Sequence, residues 1–204
     1  MEKIIEFVQC ELAHDNTGHD LSHAIRVVNN AKKILKEVKG NELVVLTSCY
    51  LHDVVDEKLF QNTDNQVNKI RKLLTENDYS SSDIDEIIHI ITTISFHLGI
   101  IPQSINAQIV QDADRLDALG SIGIIRAIQY GQSKKRPFYE SVNLIKKNNH
   151  YEFNEVSNST LSHFYQKLLK LENMMNTDIA KMMAKERTNT MKLFLDEFYQ
   201  EIAE

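Results

Sequence analysis

Glycine and proline are scarce in this chain, which has 6 glycines and 2 prolines among its 204 residues. An all-β chain needs many tight turns, and these two residues supply much of the backbone geometry that such turns require. Apolar residues make up 42% and charged residues 25%, which is the composition of an ordinary globular chain. We therefore expect long helices around a substantial buried core.

Cysteine is also rare, with only Cys10 and Cys49 present. These two form no C-x-x-C pair, so neither a disulfide framework nor a cysteine zinc site is predicted, and a reducing compartment fits best. No stretch reaches the roughly 18 apolar residues of a membrane span, and the first residues lack a signal-peptide cleavage site. We therefore expect a cytoplasmic protein without a membrane partner.

Positive charge is in the minority, since 23 lysines and arginines face 29 acidic residues and the formal net charge is -6. A protein that neutralises many nucleic-acid phosphates needs the opposite sign. We therefore expect no nucleic-acid partner. A small anionic substrate would require a local concentration of positive charge.

Helical spacing of apolar residues recurs along most of the chain. Asn41 is placed to cap a helix from Glu42 to about Glu57, whose run LVVLTSCYL is apolar on most faces. This is the predicted central buried helix. The other predicted helices cover residues 22–38, 64–77, 83–96, 106–118, 122–130, 159–175 and 178–203.

No internal repeat or linker divides the chain, so one domain over residues 1–204 is expected. Its core would span about 15–131. The stretch of about 132–158 is polar and rich in lysine and asparagine, which favours an irregular insertion or a lid. The C-terminal helices, about 159–204, would form a hairpin broken near Asn176.

Two adjacent polar residues, His52 and Asp53, stand at the end of the predicted central helix. With about 100° between consecutive helical residues, Asp56 falls between them in angle, so the three side chains are predicted to converge. Imidazole and carboxylate ligands suit Mn, Fe, Co, Ni or Zn. For an isolated His-Asp pair, a capped and salt-bridged helix end is the simpler explanation.

Further residues of ligand type stand on two other predicted helices. His23 opens the helix that precedes the central one, and Asp114 lies in the run DADRLD on a later helix. With His52 and Asp53 they make two imidazoles and two carboxylates, which leaves room for water on a six-coordinate ion. Spacing alone leaves a metal site and a chance pattern both open.

Three motifs surround these residues: GHDLSHAIRV around His23, LHDVVDE around His52 and VQDADRLDALG around Asp114. In this order they resemble the HD-domain metal-dependent phosphohydrolases, especially their small stand-alone bacterial branch. The C-terminal runs SHFYQKLLKL and AKER are similar to that branch too, so the resemblance covers nearly the whole chain. It implies an all-α fold, a divalent metal held by His23, His52, Asp53 and Asp114, and hydrolysis of a phosphate ester or anhydride, commonly of nucleotides.

Two carboxylates close to the His52-Asp53 pair are candidates for the chemical step. A water activated by a metal needs no protein nucleophile, but a carboxylate can accept its proton or orient it. Asp56 is the first candidate, because the acidic residue three beyond the HD pair has this role in related enzymes of the family. Glu57 is the competing choice.

Basic residues and histidines supply the candidate phosphate contacts. His19 lies four residues before His23, and Arg26 lies one turn after it and carries a planar donor fork. His163 and Lys167 lie four residues apart in the C-terminal segment that resembles the family. Without the resemblance, a loop histidine explains His19, and solvated helix faces explain the others.

The expected function is metal-dependent hydrolysis of a nucleotide, first of all of a nucleoside triphosphate to the monophosphate and pyrophosphate. One divalent ion is expected, with manganese ahead of Mg, Co, Ni, Fe and Zn. The alternatives are a nucleoside monophosphate phosphatase, a cyclic or dinucleotide phosphodiesterase, and a nucleotide-binding regulatory module without turnover. The basic run 134–136 would either close over a polyphosphate or keep its loop soluble, and a homodimer is left open.

Overall fold

The structure of the protein is a computed structural model that describes residues 1–13, 20–56, 60, 62–95, 99–139, 144–147, 150–153 and 158–203. Helices dominate these residues, and the all-α prediction is confirmed. The α-helices are α1 (Glu2–Glu11), α2 (Leu21–Leu35), α3 (Glu42–Leu51), α4 (Thr63–Thr75), α5 (Ser81–Thr93), α6 (Ile105–Asp117), α7 (Gly120–Ser133), α8 (Thr160–Gln166) and α9 (Asp178–Ala203). The described residues also form two 3₁₀ helices, η1 (His52–Val55) and η2 (Leu168–Met174), and two strands, β1 (Leu144–Lys147) and β2 (His150–Phe153).

The chain divides into two compact units, Met1–Asp114 and Arg115–Glu204. The boundary lies within α6, so that Asp114 is the last residue of the first unit. The grouping of the chain into one domain with a core, an insertion and C-terminal helices stays a prediction. In the part of the chain that the structure describes, no helix is long and apolar enough to cross a membrane.

Helix α3 forms the centre of the first unit, as its sequence predicted. Every residue from Val44 to Leu51 is buried, and the helix packs against α1, α2 and α5. The side chain of Asn41 caps it by accepting a hydrogen bond from the backbone N–H of Val44. This apolar helix is enclosed by its neighbours and directly precedes the polar residues His52 and Asp53.

The end of this helix differs from the prediction. The α-helix stops at Leu51, and His52–Val55 form the 3₁₀ helix η1, which packs against α5 and α4. Asp56 then takes an extended backbone conformation, with φ -71° and ψ 123°. A 3₁₀ helix has about three residues per turn rather than 3.6, so the angular argument that placed Asp56 between His52 and Asp53 was wrong in its premise.

The second unit holds two further differences. The expected irregular stretch contains an antiparallel hairpin, in which Leu144 pairs with Phe153 and Lys147 with His150. The predicted helix 159–175 is divided into α8 and η2, because Lys167 leaves the helical region with φ -131° and ψ -61°. Helix α9 packs against α7 and η2, and its predicted bounds are confirmed.

The segment after α7 is fixed to the start of α8 by backbone hydrogen bonds. The N–H groups of Thr160 and Leu161 donate to the carbonyls of Pro137 and Phe138, each at 2.9 Å. At Gly131, a Cβ atom would lie only 1.9 Å from Thr160 Oγ1, so glycine permits this close approach of α7 and α8. The basic run that ends at Arg136 is therefore held next to the first turn of α8.

Candidate metal centre

Four polar side chains of the first unit converge where α2, η1 and α6 meet. His23 lies in the first turn of α2, whose N-cap Asp20 accepts a hydrogen bond from the His23 backbone N–H at 3.0 Å. His52 and Asp53 begin η1, directly after the buried α3. Asp114 comes from α6. The structure therefore brings together the four residues that the sequence proposed as metal ligands.

The distances between their ligand atoms are short and similar. His23 Nε2 lies 3.2 Å from His52 Nε2, 3.3 Å from Asp53 Oδ2 and 3.4 Å from Asp114 Oδ1. His52 Nε2 lies 3.2 Å from Asp53 Oδ1 and 3.6 Å from Asp114 Oδ1. Ligands bound at about 2.0–2.2 Å to one tetrahedral or octahedral ion are about 2.8–3.6 Å apart. The observed separations fall within that range.

Burial makes this arrangement costly unless a cation is shared. The side chains of His23 and Asp53 are only 1% and 9% exposed, and Asp53 Oδ2 is buried without a hydrogen-bond partner among the described residues. A buried carboxylate oxygen that makes no hydrogen bond is strongly unfavourable unless a nearby positive charge compensates it. The donor set of two imidazoles and two carboxylates fits a divalent transition metal, and His23, His52 and Asp114 form a possible metal site.

The His52 ring is oriented by the backbone of α3. Its Nδ1 lies 2.9 Å from the carbonyl oxygen of Cys49, and a carbonyl can only accept, so Nδ1 carries a hydrogen and donates. In the neutral ring the lone pair therefore belongs to Nε2, the atom that faces the other three side chains. This is the tautomer that metal ligation by Nε2 requires.

The two carboxylates create a strongly negative environment. Burial alone would lower the pKa of His52, but the charge of Asp53 and the hydrogen bond and charge of Asp114 raise it to about 10. Burial alone would raise the pKa of Asp114, but hydrogen bonds from His23 and His52 hold it well below its ordinary value. The site therefore favours a positive charge at its centre, whether a proton or a metal ion supplies it.

The HD domain family profile matches residues 20–119, a range that contains all four converging side chains. YpgQ of Bacillus subtilis, a curated relative, is 35% identical over 205 residues, which cover 98% of this chain and 93% of YpgQ. The chain belongs to the HD domain family. The family that its motifs predicted is thus confirmed.

Solved structures of bacterial proteins match this chain over nearly its whole length. The crystal structure of Bacillus subtilis YpgQ in complex with ADP has a TM-score of 0.81 and 32% identity, and the match covers 98% of this chain and 97% of that one. An HD-superfamily hydrolase from Bacillus thuringiensis has a TM-score of 0.79 and 35% identity, with 99% and 96% covered. The chain is accordingly an HD-family metal-dependent phosphohydrolase.

Arg26 belongs to a small polar network at the start of α2. Its Nη1 donates to Ser22 Oγ at 2.9 Å, and Ser22 Oγ donates to Asp20 Oδ1 at 2.6 Å. Burial alone would raise the pKa of Asp20, but hydrogen bonds from Ser22 and the His23 backbone, with the charge of Arg26, lower it. The guanidinium is therefore tied, through Ser22, to the residue that caps the His23 helix.

The remaining predicted residues of the first unit are only partly described. Asp56 is half-buried, and its backbone N–H donates to the carbonyl of Asp53 at 3.2 Å, which keeps it close in the chain to a candidate ligand. His19 and Glu57 lie outside the described residues. The roles given to these three residues stay predictions.

His163 and Lys167 lie in the second unit, on α8 and at the residue that ends it. Burial, followed by the positive charges of Lys167 and Arg136, lowers the pKa of His163 from 6.5 to about 4. Arg136 and Lys134 also lie over the Tyr130 ring, each 5.6 Å from its centroid. These residues form a positively charged cluster in which His163 itself is neutral at pH 7.

Sequence reasoning missed the groups that orient the ligands. The carbonyl of Cys49 fixes the His52 ring, and the buried side chain of Asn30 donates to the carbonyl of Ala113, the residue before Asp114, at 3.0 Å. A backbone carbonyl leaves no mark in a sequence. Asn30 does leave one, because a polar residue two turns after His23 on the buried face of α2 breaks the apolar pattern.

Proposed function

We propose that this HD protein hydrolyses nucleoside triphosphates to nucleoside monophosphates and pyrophosphate, with one divalent ion bound by His23, His52, Asp53 and Asp114. The observation that carries the proposal is the convergence of these four side chains at 3.2–3.6 Å. A divalent ion bound there would lower the pKa of a coordinated water and polarise a phosphoryl oxygen. Manganese is the proposed metal, because a site with both imidazole and carboxylate ligands suits it.

A nucleotide substrate is supported by a relative. The YpgQ structure was solved in complex with ADP, and YpgQ matches this chain over nearly its whole length. ADP carries the nucleoside and the phosphoanhydride linkage that a triphosphate shares. We propose a free nucleotide as the substrate, acted on in the cytoplasm without a nucleic acid or a membrane as partner, while a homodimer stays open.

We propose Asp56 as the group that accepts the proton of the attacking water, with Glu57 as the competing choice. Asp56 follows η1 directly, and the hydrogen bond from its backbone to Asp53 restrains it near the candidate ligands. A carboxylate in this position can accept a proton from a water and so act as a general base.

The substrate phosphates are proposed to contact Arg26, His163 and Lys167, and His19 as a further donor. The positive cluster of Lys134, Arg136 and Lys167 supports this, because a triphosphate would otherwise be repelled by a chain of net charge -6. With its pKa lowered, His163 would act as a neutral hydrogen-bond donor, and the adjacent lysine and arginine would supply the charge.

The alternatives predict different products from the same protein. A monophosphatase would release inorganic phosphate and a nucleoside, and a phosphodiesterase would open a cyclic or dinucleotide diester. A regulatory module would bind nucleotide and metal without turnover. The buried four-ligand cluster favours an enzyme, because binding a nucleotide alone does not need two imidazoles and two carboxylates at one point.

Product analysis separates these functions. Metal-free protein is supplied with Mn²⁺ and a panel of nucleoside tri-, di- and monophosphates, cyclic nucleotides and dinucleotides, and the phosphorus products are followed by ³¹P NMR. The proposal predicts pyrophosphate and a monophosphate from triphosphates. Release of inorganic phosphate alone, or turnover restricted to diesters, would contradict it.

A further inference from the structure

We infer that Asn30 is a positioning residue for the metal centre, since it locks the turn of α6 that carries Asp114 onto α2, the helix that carries His23. The inference rests on the proposed function only in taking Asp114 and His23 as metal ligands. It gives a buried polar group of the first unit a role beyond packing.

The first observation is the hydrogen bond itself. Asn30 is buried, with 4% of its surface exposed, and its Nδ2 donates to the backbone carbonyl of Ala113 at 3.0 Å. Ala113 is fully buried and immediately precedes Asp114. If this hydrogen bond broke, the buried amide and carbonyl would have no water to bond to instead, which costs free energy. The contact therefore strongly restrains the two helices.

The second observation is the place of Asn30 on its helix. It lies seven residues after His23, which is about two turns, so both side chains occupy the buried face of α2. One helix therefore carries a ligand at its start and the tether of a second ligand two turns later. The separation of 3.4 Å between His23 Nε2 and Asp114 Oδ1 depends on this register of α2 against α6.

The third observation concerns Asp114, which is the least enclosed of the four ligands. Its side chain is 33% exposed, against 9% for Asp53. It is also the last residue of the first compact unit, partway along a helix that continues to Asp117. Because the Asp114 side chain is one-third exposed, packing restrains it less than the other ligands, and a fixed backbone helps to keep its carboxylate on the metal.

The expected effect follows from the behaviour of groups that orient metal ligands. Their loss weakens metal binding by about 10–100-fold even though the ligands themselves remain. Asn30→Leu keeps a similar side-chain volume and removes the donor. We therefore expect it to raise the Kd for Mn²⁺ by about 10–100-fold.

A matched control lies on α6 itself. Asn106 is also buried, at 8% exposure; its Nδ2 donates to Glu86 Oε1 at 2.9 Å, and its Oδ1 accepts from the Asn41 backbone at 2.8 Å. Asn106→Leu removes two hydrogen bonds from a buried side chain, so it should also lower the Tm of the metal-free protein. Because Asn106 lies two turns before Asp114, the Asn106→Leu variant should bind Mn²⁺ with a Kd within about twofold of that of the parent.

The experiment measures Mn²⁺ binding to the metal-free parent, Asn30→Leu, Asn106→Leu and Asp114→Ala by titration calorimetry. The visible absorption of bound Co²⁺ reports the ligand geometry, which a general loss of stability would not change. We expect a weaker Kd and an altered Co²⁺ spectrum for Asn30→Leu and neither for Asn106→Leu. Equal Kd values for the two asparagine variants would overturn the inference.

The same series separates this inference from the proposed function. Unchanged Mn²⁺ binding in Asp114→Ala would refute the ligand set, and the role of Asn30 with it. Loss of binding in Asp114→Ala with parental binding in Asn30→Leu would refute the role of Asn30 alone. If Asn30→Leu does not fold, Asn30→Ser replaces it, because its shorter hydroxyl fits the site but is too short to keep the bond to Ala113.

Discussion

His23 and His52 point their Nε2 atoms at each other across 3.2 Å. The Nδ1 of His52 is engaged as a donor by the Cys49 carbonyl, so in the neutral ring its Nε2 presents a lone pair. One metal ion bound between them would be shared by both nitrogens and by the two carboxylates beside them. A shared metal ion explains why His23, at the start of α2, and His52, directly after the apolar helix α3, are buried together although they lie 29 positions apart.

The ligand assignment predicts that His52→Ala and Asp53→Ala each weaken Mn²⁺ binding by more than about 100-fold, because loss of an orienting group alone costs about 10–100-fold. Turnover should be lost with the metal. Metal analysis of the purified proteins and titration calorimetry measure the effect. His89→Ala is the control, since His89 is exposed on α5, and parental metal content in both ligand variants would refute the assignment.

The role of Asp56 in proton transfer predicts a loss of rate without a loss of metal. Asp56→Asn keeps the shape of the side chain and removes its basicity, so kcat should fall by about 10²–10⁴-fold while Mn²⁺ occupancy stays parental. Steady-state kinetics and metal analysis of the same preparation check both parts. Glu57→Gln should have little effect, and the reverse pattern would mean that Glu57 is the base.

The phosphate contact of Lys167 predicts a defect that grows with the number of phosphates. Lys167→Met keeps most of the apolar stem and removes the charge. Loss of a charge-assisted hydrogen bond of about 1.5–3 kcal/mol lowers kcat/KM by about ten- to two-hundredfold for triphosphates, and by less for monophosphates. Lys170→Met is the control, since Lys170 is exposed in the same segment. If Lys167→Met has the same kcat/KM as Lys170→Met on every nucleotide, Lys167 makes no phosphate contact and belongs to an ordinary solvated helix face.

The lowered pKa of His163 predicts a pH dependence of stability. Burial, then the charges of Lys167 and Arg136, lower this pKa from 6.5 to about 4 in the folded chain. The unfolded chain therefore binds the proton first as the pH falls. The lowered pKa of His163 therefore reduces the free energy of unfolding at low pH. This reduction is absent above pH 6.5, grows as the pH falls from 6.5 to about 4, and is constant below about pH 4.

Denaturant unfolding of the parent and of His163→Asn across that window isolates this contribution, because the other titrating groups are common to both proteins. The variant should lose less stability on acidification. The ring protons of His163, followed by NMR, give the pKa directly. A folded-state pKa near 6.5, or identical pH profiles of stability, would refute this account of the cluster.

Helix α3 could be predicted from the sequence, whereas the 3₁₀ helix η1 could not. The run LVVLTSCYL after Asn41 predicted the buried helix α3, because its apolar residues leave no face for water. The change from α-helix to η1 at His52 was not predictable in this way, because η1 is shaped by packing against α5 and α4. Local propensity does not report contacts with other helices.

Some residues of the candidate metal centre could likewise be predicted from the sequence alone, and others could not. His52 and Asp53 stand out in the sequence as adjacent polar residues after an apolar run. Asp114 does not, because α6 carries three buried or partly buried aspartates, and only the family resemblance selected the one that faces the histidines. The nearby Asp117 is instead paired with Arg126 at 2.7 Å.

The proposed function requires that one divalent ion, bound by the His23, His52, Asp53 and Asp114 cluster, supports hydrolysis of a nucleoside triphosphate to the monophosphate and pyrophosphate. The most direct measurement is a titration of metal-free protein with Mn²⁺ in which bound metal and pyrophosphate release from a triphosphate are recorded together. The account predicts that activity rises in step with occupancy and reaches its maximum at one ion per chain. Full activity in the presence of a chelator, or full occupancy without pyrophosphate release, would contradict it.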